Sequence, residues 1–304
     1  MTNIEFQVNI DEAISFLKTL IIKQVSEKNQ NWFTQKENDL ISGFSEKTFF
    51  LIFASTPRFM PKDIVHLNDA DYQQAIQIRE GFCPENWTLD QVTRVIFLMI
   101  LSKSVEKTDF FRILNQLFTT GDVNELVALY AALPLLPYPL DLVPQAAEGV
   151  RSNMTNVFEA IALNNPFAAD FLEDNAWNQV FLKSIFTGRS IYKIYGIEKR
   201  ANAELARICS DFAHERWAAG RIVTPELWRP VSKFLDEKLL LDIEKLFENE
   251  NPIQHKAAAL VCYHSTFPKA IEMLEKYPDL KATIEKGEIN WKKIGEDWEK
   301  ENNI

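Results

Sequence analysis

Nine glycines serve a chain of 304 residues, where average usage would supply roughly twenty. Two-residue hairpins, Gly-rich phosphate loops and many strand-to-strand turns need positive φ or a close backbone approach, and glycine supplies both. Rossmann, P-loop and all-β folds are therefore disfavoured. A helical protein needs glycine chiefly just past its helix C-termini, so the scarcity fits an all-α chain.

The apolar spacing agrees. Ile10, Ile14, Leu17, Ile21 and Val25 recur at intervals of three and four, with Asp11, Glu12, Lys18 and Lys23 between them. That is one buried stripe on a 3.6-residue period. A second long segment is predicted from about Trp32 to Phe53. Thr88 and Asp90 open another through Val92, Val95, Ile96, Met99 and Ile100. Phe110, Ile113, Leu114 and Leu117 make one more, closing at Gly121, and Leu126–Leu133 follows. No stretch alternates apolar and polar residues for long enough to predict a strand. Asn165-Pro166, Thr224-Pro225 and Asn251-Pro252 each set a capping side chain before a proline at the expected first helical position. Gly149, Gly188 and Gly220 fall near expected breaks. The fold class expected is all-α, an irregular α-α superhelix or helical bundle without a fixed repeat.

Composition narrows the function classes. There are 33 basic and 43 acidic side chains, a net charge of −10. An acidic surface repels nucleic acid and anionic membranes alike. Cys83, Cys209 and Cys262 are odd in number and widely spaced, which suits reduced thiols in a cytoplasmic protein. The first residues, with Glu5, Asp11 and Glu12, lack the basic start of a signal peptide. Leu126 to Leu140 is uncharged, but it is short for a bilayer crossing and broken by Pro134, Pro137 and Pro139. It reads as a buried helix ending at a Pro-rich turn. Composition turns charge-rich near Leu235, where a C-terminal extension is expected to begin. Trp291 and Trp298 share a helical face there, and they should dock that extension on the protein's own core rather than on a partner.

Residues 147–231 interleave charged and amide side chains with Trp and Phe, as the wall of a cleft does. Asp211, His214 and Glu215 lie near one helix face. A carboxylate and a histidine three apart can chelate a metal in a bundle core, which requires a second such pair or further carboxylates. Glu148 and Glu159 are the nearby candidates, and no second pair exists in the chain. The plainer reading is a hydrogen-bonded ion-pair network holding His214. Arg151, Lys183, Arg200, Arg207 and Arg221 would recognise an anion if they converged, although helix exposure explains each singly. Asn153, Asn164, Asn178 and Asn202 could read polar ligand groups, whereas Asn165 is explained as a cap. Trp177, Trp217 and Trp228 are more often core than stacking platforms. The spacing of His255, Cys262 and His264 fits no structural zinc site. No nucleophile elbow, Walker loop, HExxH or CxxC occurs.

The segments AEGVRSN, VFEAIALNNPF, AWNQVFLKSIFTG, RANAELA and DFAHERWAAGRIVTPELWR, between Ala147 and Val231, closely resemble the EboA family. That resemblance implies a helical metabolite-traffic protein from a bacterial gene cluster that also encodes a UbiA-like prenyltransferase. The cluster is associated with moving a biosynthetic precursor from cytoplasm toward periplasm. The family offers no established catalytic residues to carry over. The expected organisation is a single EboA-like domain over 1–234, with an N-terminal helical region (1–121) and a motif-bearing region (122–234). A helical extension over 235–304 follows it. The leading expectation is a non-enzymatic cytoplasmic protein, without cofactor, that binds a small metabolite or a protein of the same cluster. The residues singled out for binding are Arg151, Asn153, Glu159, Asn178, Lys183, Arg200, Asn202, Asp211, His214, Glu215 and Arg221. A metal-assisted enzyme built on Asp211, His214 and Glu215, and a scaffold recruiting the prenyltransferase, are the rival readings.

Overall fold

The computed structural model describes residues 8–302, so the reading placed on the first seven residues, Glu5 included, lies outside it. The described residues form α-helices joined by short turns and 3-10 segments, with no strand among them. One isolated antiparallel bridge joins Ile64 and Thr88. The protein is all-α. It divides into two compact units, Met1–Leu172 and Glu173–Ile304.

In the first unit the helices are α1 Ile10–Ile22, α2 Glu27–Ser42, α3 Glu46–Phe59, α4 Asp69–Ile78 and α5 Leu89–Ser104. They continue as α6 Lys107–Thr120, α7 Val123–Ala132, α8 Pro139–Arg151, α9 Thr155–Ala162 and α10 Phe167–Phe171. Side-chain caps mark the starts of α1, α2, α4 and α7. Asn9 accepts from the backbone of Asp11 and Glu12. Asn68 with Asp71, and Asp122 with Glu125, form reciprocal capping boxes. Helix α5 is the axis of this unit. Every residue from Leu89 to Leu101 is buried, and α1, α2, α3, α6 and α7 pack around it. Arg94 is enclosed with them. It donates to the Phe53 carbonyl at 3.2 Å and pairs with Asp90 at 3.3 Å.

Two details differ from the sequence-based expectation. The single helix expected from Trp32 to Phe53 is two, α2 and α3, because Gly43 and Ser45 both leave helical geometry. Gly149 does not mark a break but sits inside α8. A Cβ there would lie 2.5 Å from the Tyr130 ring, so glycine permits a close approach. The apolar run from Leu126 behaves as expected, ending α7 in a buried 3-10 turn, Leu133–Leu135. No described helix is long and apolar enough to cross a membrane.

In the second unit the helices are α11 Asp174–Phe186, α12 Ile197–Arg200, α13 Ala203–Ala218 and α14 Glu237–Phe247. They end with α15 Pro252–Tyr263, α16 Pro268–Leu274, α17 Pro278–Glu285 and α18 Trp291–Asn302. Its hub is not an α-helix. Residues Pro225–Phe234 form a long 3-10 stretch with Pro230 inside it, which removes a donor and blocks an α-helical ladder. Pro225 through Ser232 are all buried. Helices α12, α13, α15 and α18 pack directly on this stretch. Trp291 and Trp298 are both buried, so the tail helices complete the core of the unit that contains them. Gly220, at φ +64°, ends the turn after α13 in the left-handed region that favours glycine. Cys209 and Cys262 are buried free thiols, and burial pushes both thiols upward from their ordinary pKa.

Candidate functional site

The residues expected to bind fall in both units. In the first, Arg151 is exposed and paired with Glu148 on the same helix. Asn153 is exposed and Glu159 half-buried. In the second, Asn178 is buried and exchanges amide hydrogen bonds with Asn202, at 2.8 Å from the Asn202 Nδ2. Asn202 also caps α13 by accepting from the Leu205 backbone at 2.9 Å. Arg200 pairs with Asp174 at 3.0 Å and lies 5.4 Å above the Trp177 ring. Asn178, Arg200 and Asn202 therefore meet at the junction of α11, α12 and α13, where their partners include one another, a backbone group and Asp174. Burial lowers the pKa of half-buried Lys183.

Asp211, His214 and Glu215 do not assemble around a common point. Asp211 turns to Arg207 one turn back, at 2.7 Å, on the exposed face. His214 instead reaches Asp242 on α14, with Nε2 2.6 Å from Oδ1. Asp242 is 2% exposed and also accepts from the Ser210 hydroxyl at 2.7 Å and from Lys245 at 3.2 Å. This is a network in which one buried carboxylate ties α13 to α14. Among the described residues no group of three or more His, Cys, Asp or Glu could hold a metal ion, so the metal-assisted reading lacks its ligand set. Lys245 also sits 4.8 Å over the Trp217 ring, which stacks on buried Trp228.

A concave surface of the second unit lies elsewhere. A cleft of about 290 Å³ opens between the C-terminal end of α11, α13, the start of the 3-10 stretch and α18. Phe186, Phe212, Ile222 and Trp298 supply its apolar wall, and Arg189, Arg216, Glu226 and Glu299 its charges. Phe186 and Ile222 are 60% and 64% exposed. Arg216 donates through Nε and Nη2 to the Ile222 carbonyl, at 3.1 and 2.9 Å, and so fixes the 220–224 turn. A second hollow of about 270 Å³ shares Ile222, Val223 and Trp298 with the first. Arg221, Gln254 and Trp217 line it. Gln254 donates to the Val223 carbonyl at 2.8 Å, while its buried Oε1 has no hydrogen-bond partner.

Glu226 is the chemically unusual group. It is 2% exposed, and its Oε1 has no hydrogen-bond partner. Arg229 Nη1 lies 3.6 Å from that oxygen, beyond hydrogen-bond reach. The guanidinium is committed elsewhere. Its Nε and Nη2 both donate to Glu198, at 2.9 and 2.8 Å, and Nη1 donates to the Ile191 carbonyl at 3.3 Å. Burial, opposed by Arg229 and reinforced by Glu299 and Glu198, pushes the Glu226 carboxyl up to about 8. It is therefore mainly a neutral acid at pH 7.

Of the binding residues expected from the sequence, Arg221 alone lines either of these two hollows. Glu226 and Glu299 are absent from that set, and Trp298 enters the sequence reading only as a docking residue. Glu226 follows a proline and resembles an ordinary acidic first-turn residue. Glu299 and Trp298 stand more than seventy residues away, and nothing in the local pattern joins them to it.

Fold and composition place the chain among all-α proteins. Residues 13–232 match the family model described as "Metabolite traffic protein EboA", and the chain belongs to the EboA family. No curated protein and no solved structure matches it. The match ends inside the 3-10 hub, so α14–α18 lie beyond it.

Proposed function

We propose that this protein serves metabolite traffic as a non-catalytic cytoplasmic binder, holding a small precursor molecule in the Glu226 cleft. The observation that carries this reading is the pairing of exposed Phe186 and Ile222 with a buried carboxyl whose Oε1 makes no hydrogen bond in one concavity. Small-molecule sites are largely apolar concavities with a few placed polar groups, and their volumes start at ~300 Å³. The cleft lies within the motif-bearing segment on three of its sides, which ties it to the region matched by the family. Asn178, Asn202 and Arg200 join the N-terminal parts of α11 and α13, away from the cleft end of those helices. They act in this reading by positioning those helices.

Native mass spectrometry tests it. Protein isolated from cells that run the pathway should carry an added small-molecule mass. The Phe186→Glu, Ile222→Glu double variant changes only exposed side chains and should lose that mass while keeping its Tm. No added mass on the parent, or the same mass retained by the variant, refutes the reading.

A further inference from the structure

Helix α18 supplies part of the cleft wall, through Trp298 and Glu299, and it also covers Glu226. Gly295 lets it sit that close. A Cβ there would run into the Tyr192 ring and lie 2.8 Å from Glu226 Oε2, so the backbone of α18 is itself the lid on the carboxyl. Glu299, one turn further on, accepts from the Tyr192 hydroxyl at 3.2 Å. The charged groups acting on Glu226 are Arg229 of the hub, Glu299 of α18 and Glu198 of α12. Arg189 and Arg216 line the same cleft, and Lys256 of α15 turns to Asp297 at 3.1 Å. Arg229 favours the anion, but burial and the two acids outweigh it.

A seam that shuts water away from a carboxyl closes best over the neutral acid, because the anion loses hydration that it cannot replace there. Lifting α18 returns that water. What otherwise holds α18 down is apolar, the buried face of Trp291, Ile294 and Trp298, so the lifted state is a minor one. The polar ties Lys256–Asp297 and Asn251–Glu301 are partly exposed contacts that contribute little. Trp298 belongs to the walls of both hollows, so α18 cannot lift without opening a wall that they share. We propose that α18 is a proton-locked strap over the cleft: it stays seated on the hub while Glu226 is a neutral acid, and ionisation of Glu226 favours its lifting and the withdrawal of Trp298. As a gate for a ligand the strap rests on the binding reading above; as a motion of the protein alone it does not. Seated, the carboxyl titrates at about 8; lifted and hydrated, it returns toward its ordinary 4.5. The seated state therefore holds the extra proton between those values. The lifted fraction rises with pH, by up to about tenfold per unit, and levels off above pH 8. The proton passes to solvent as the helix lifts.

Hydrogen exchange read by mass spectrometry tests this on the full chain without ligand, at pH 6, 7 and 8, with rates corrected for intrinsic amide chemistry. Amides of α18 should be less protected than those of α13 and α15 at each pH, because they open by a local route. Their protection should fall about tenfold from pH 6 to pH 7. Glu226→Gln should erase that fall. Glu299→Gln removes the like charge and covers the case in which the first variant misfolds; it should lessen the fall between pH 7 and pH 8. The proposal is overturned if α18 is as protected as α13 and α15, if its protection is constant or rises with pH, or if it falls equally in Glu226→Gln. The binding reading itself stands or falls separately, on the bound mass carried by the native protein.

Discussion

Replacing Glu226 by Gln isolates the energetic cost of one buried acid. The carboxyl moves from its ordinary 4.5 to about 8 on folding. The native state therefore holds a proton that the unfolded chain has lost, and stability must fall as pH rises between those values. At about 1.4 kcal/mol per tenfold difference in proton affinity, the whole cost approaches ~5 kcal/mol above pH 8. That is a large share of the roughly 5–15 kcal/mol that holds a typical domain together. Below about pH 4.5 both states are protonated and the cost vanishes. Gln keeps the shape and cannot ionise. Urea unfolding of both proteins from pH 5 to pH 9 measures the difference. The Gln variant should match or trail the parent at pH 5, then overtake it by several kcal/mol at pH 9. The opposite reasoning, an ionised Glu226 stabilised by Arg229, demands a variant weaker at neutral and high pH, with the parent losing stability as pH falls. Parallel curves, or that second pattern, would refute the argument from burial.

Other perturbations read other regions of the structure. Asp242→Ala strips Ser210, His214 and Lys245 of their shared acceptor and should cost about 3 kcal/mol in urea unfolding. Gly149→Ala drives a methyl into the Tyr130 ring; overpacking of this kind costs about 1–3 kcal/mol, visible as a lowered Tm. Asn251→Ala removes the cap that accepts from the Ile253 backbone at 2.8 Å and should lower stability by about 1 kcal/mol. Truncation after Phe234 uncovers the buried face of Pro225–Ser232, and the shortened chain should aggregate or lose its cooperative unfolding transition, as light scattering and circular dichroism would show.

Helix identity is legible in the sequence because it depends on local spacing. The stripe from Ile10 to Ile21 and the cap at Asn251 each involve residues within a few turns of one another, whereas at Asn165-Pro166 the helix starts one residue later than expected, with Pro166 itself in the cap position. The break between α2 and α3 is harder to read, since apolar residues on either side keep a passable helical spacing. The 3-10 hub is not legible at all. Thr224-Pro225 looks like a helix start, and only Pro230, five residues on, argues against an α-helix. Glu226 illustrates the limit for the site. Its unusual chemistry comes from burial among the elements packed on the hub and from Arg229 turning away to Glu198. His214 is held by a carboxylate, as the sequence suggests, but the carboxylate is Asp242 on the next helix rather than a neighbour in its own turn.

The hub's arrangement also constrains the order of events during synthesis. Pro225–Phe234 completes the burial of its apolar surface only against helices that the ribosome makes later, α15 and α18. About seventy residues separate Phe234 from the end of α18, and at ~5–20 residues per second their translation takes roughly 4–14 seconds. Throughout that interval Leu227, Trp228 and Val231 lack their final cover. The first unit carries no such delay, since α5 finds its main neighbours by Ala132. The nascent chain therefore passes through a half-built stage in which the hub of the second unit is open to chaperones.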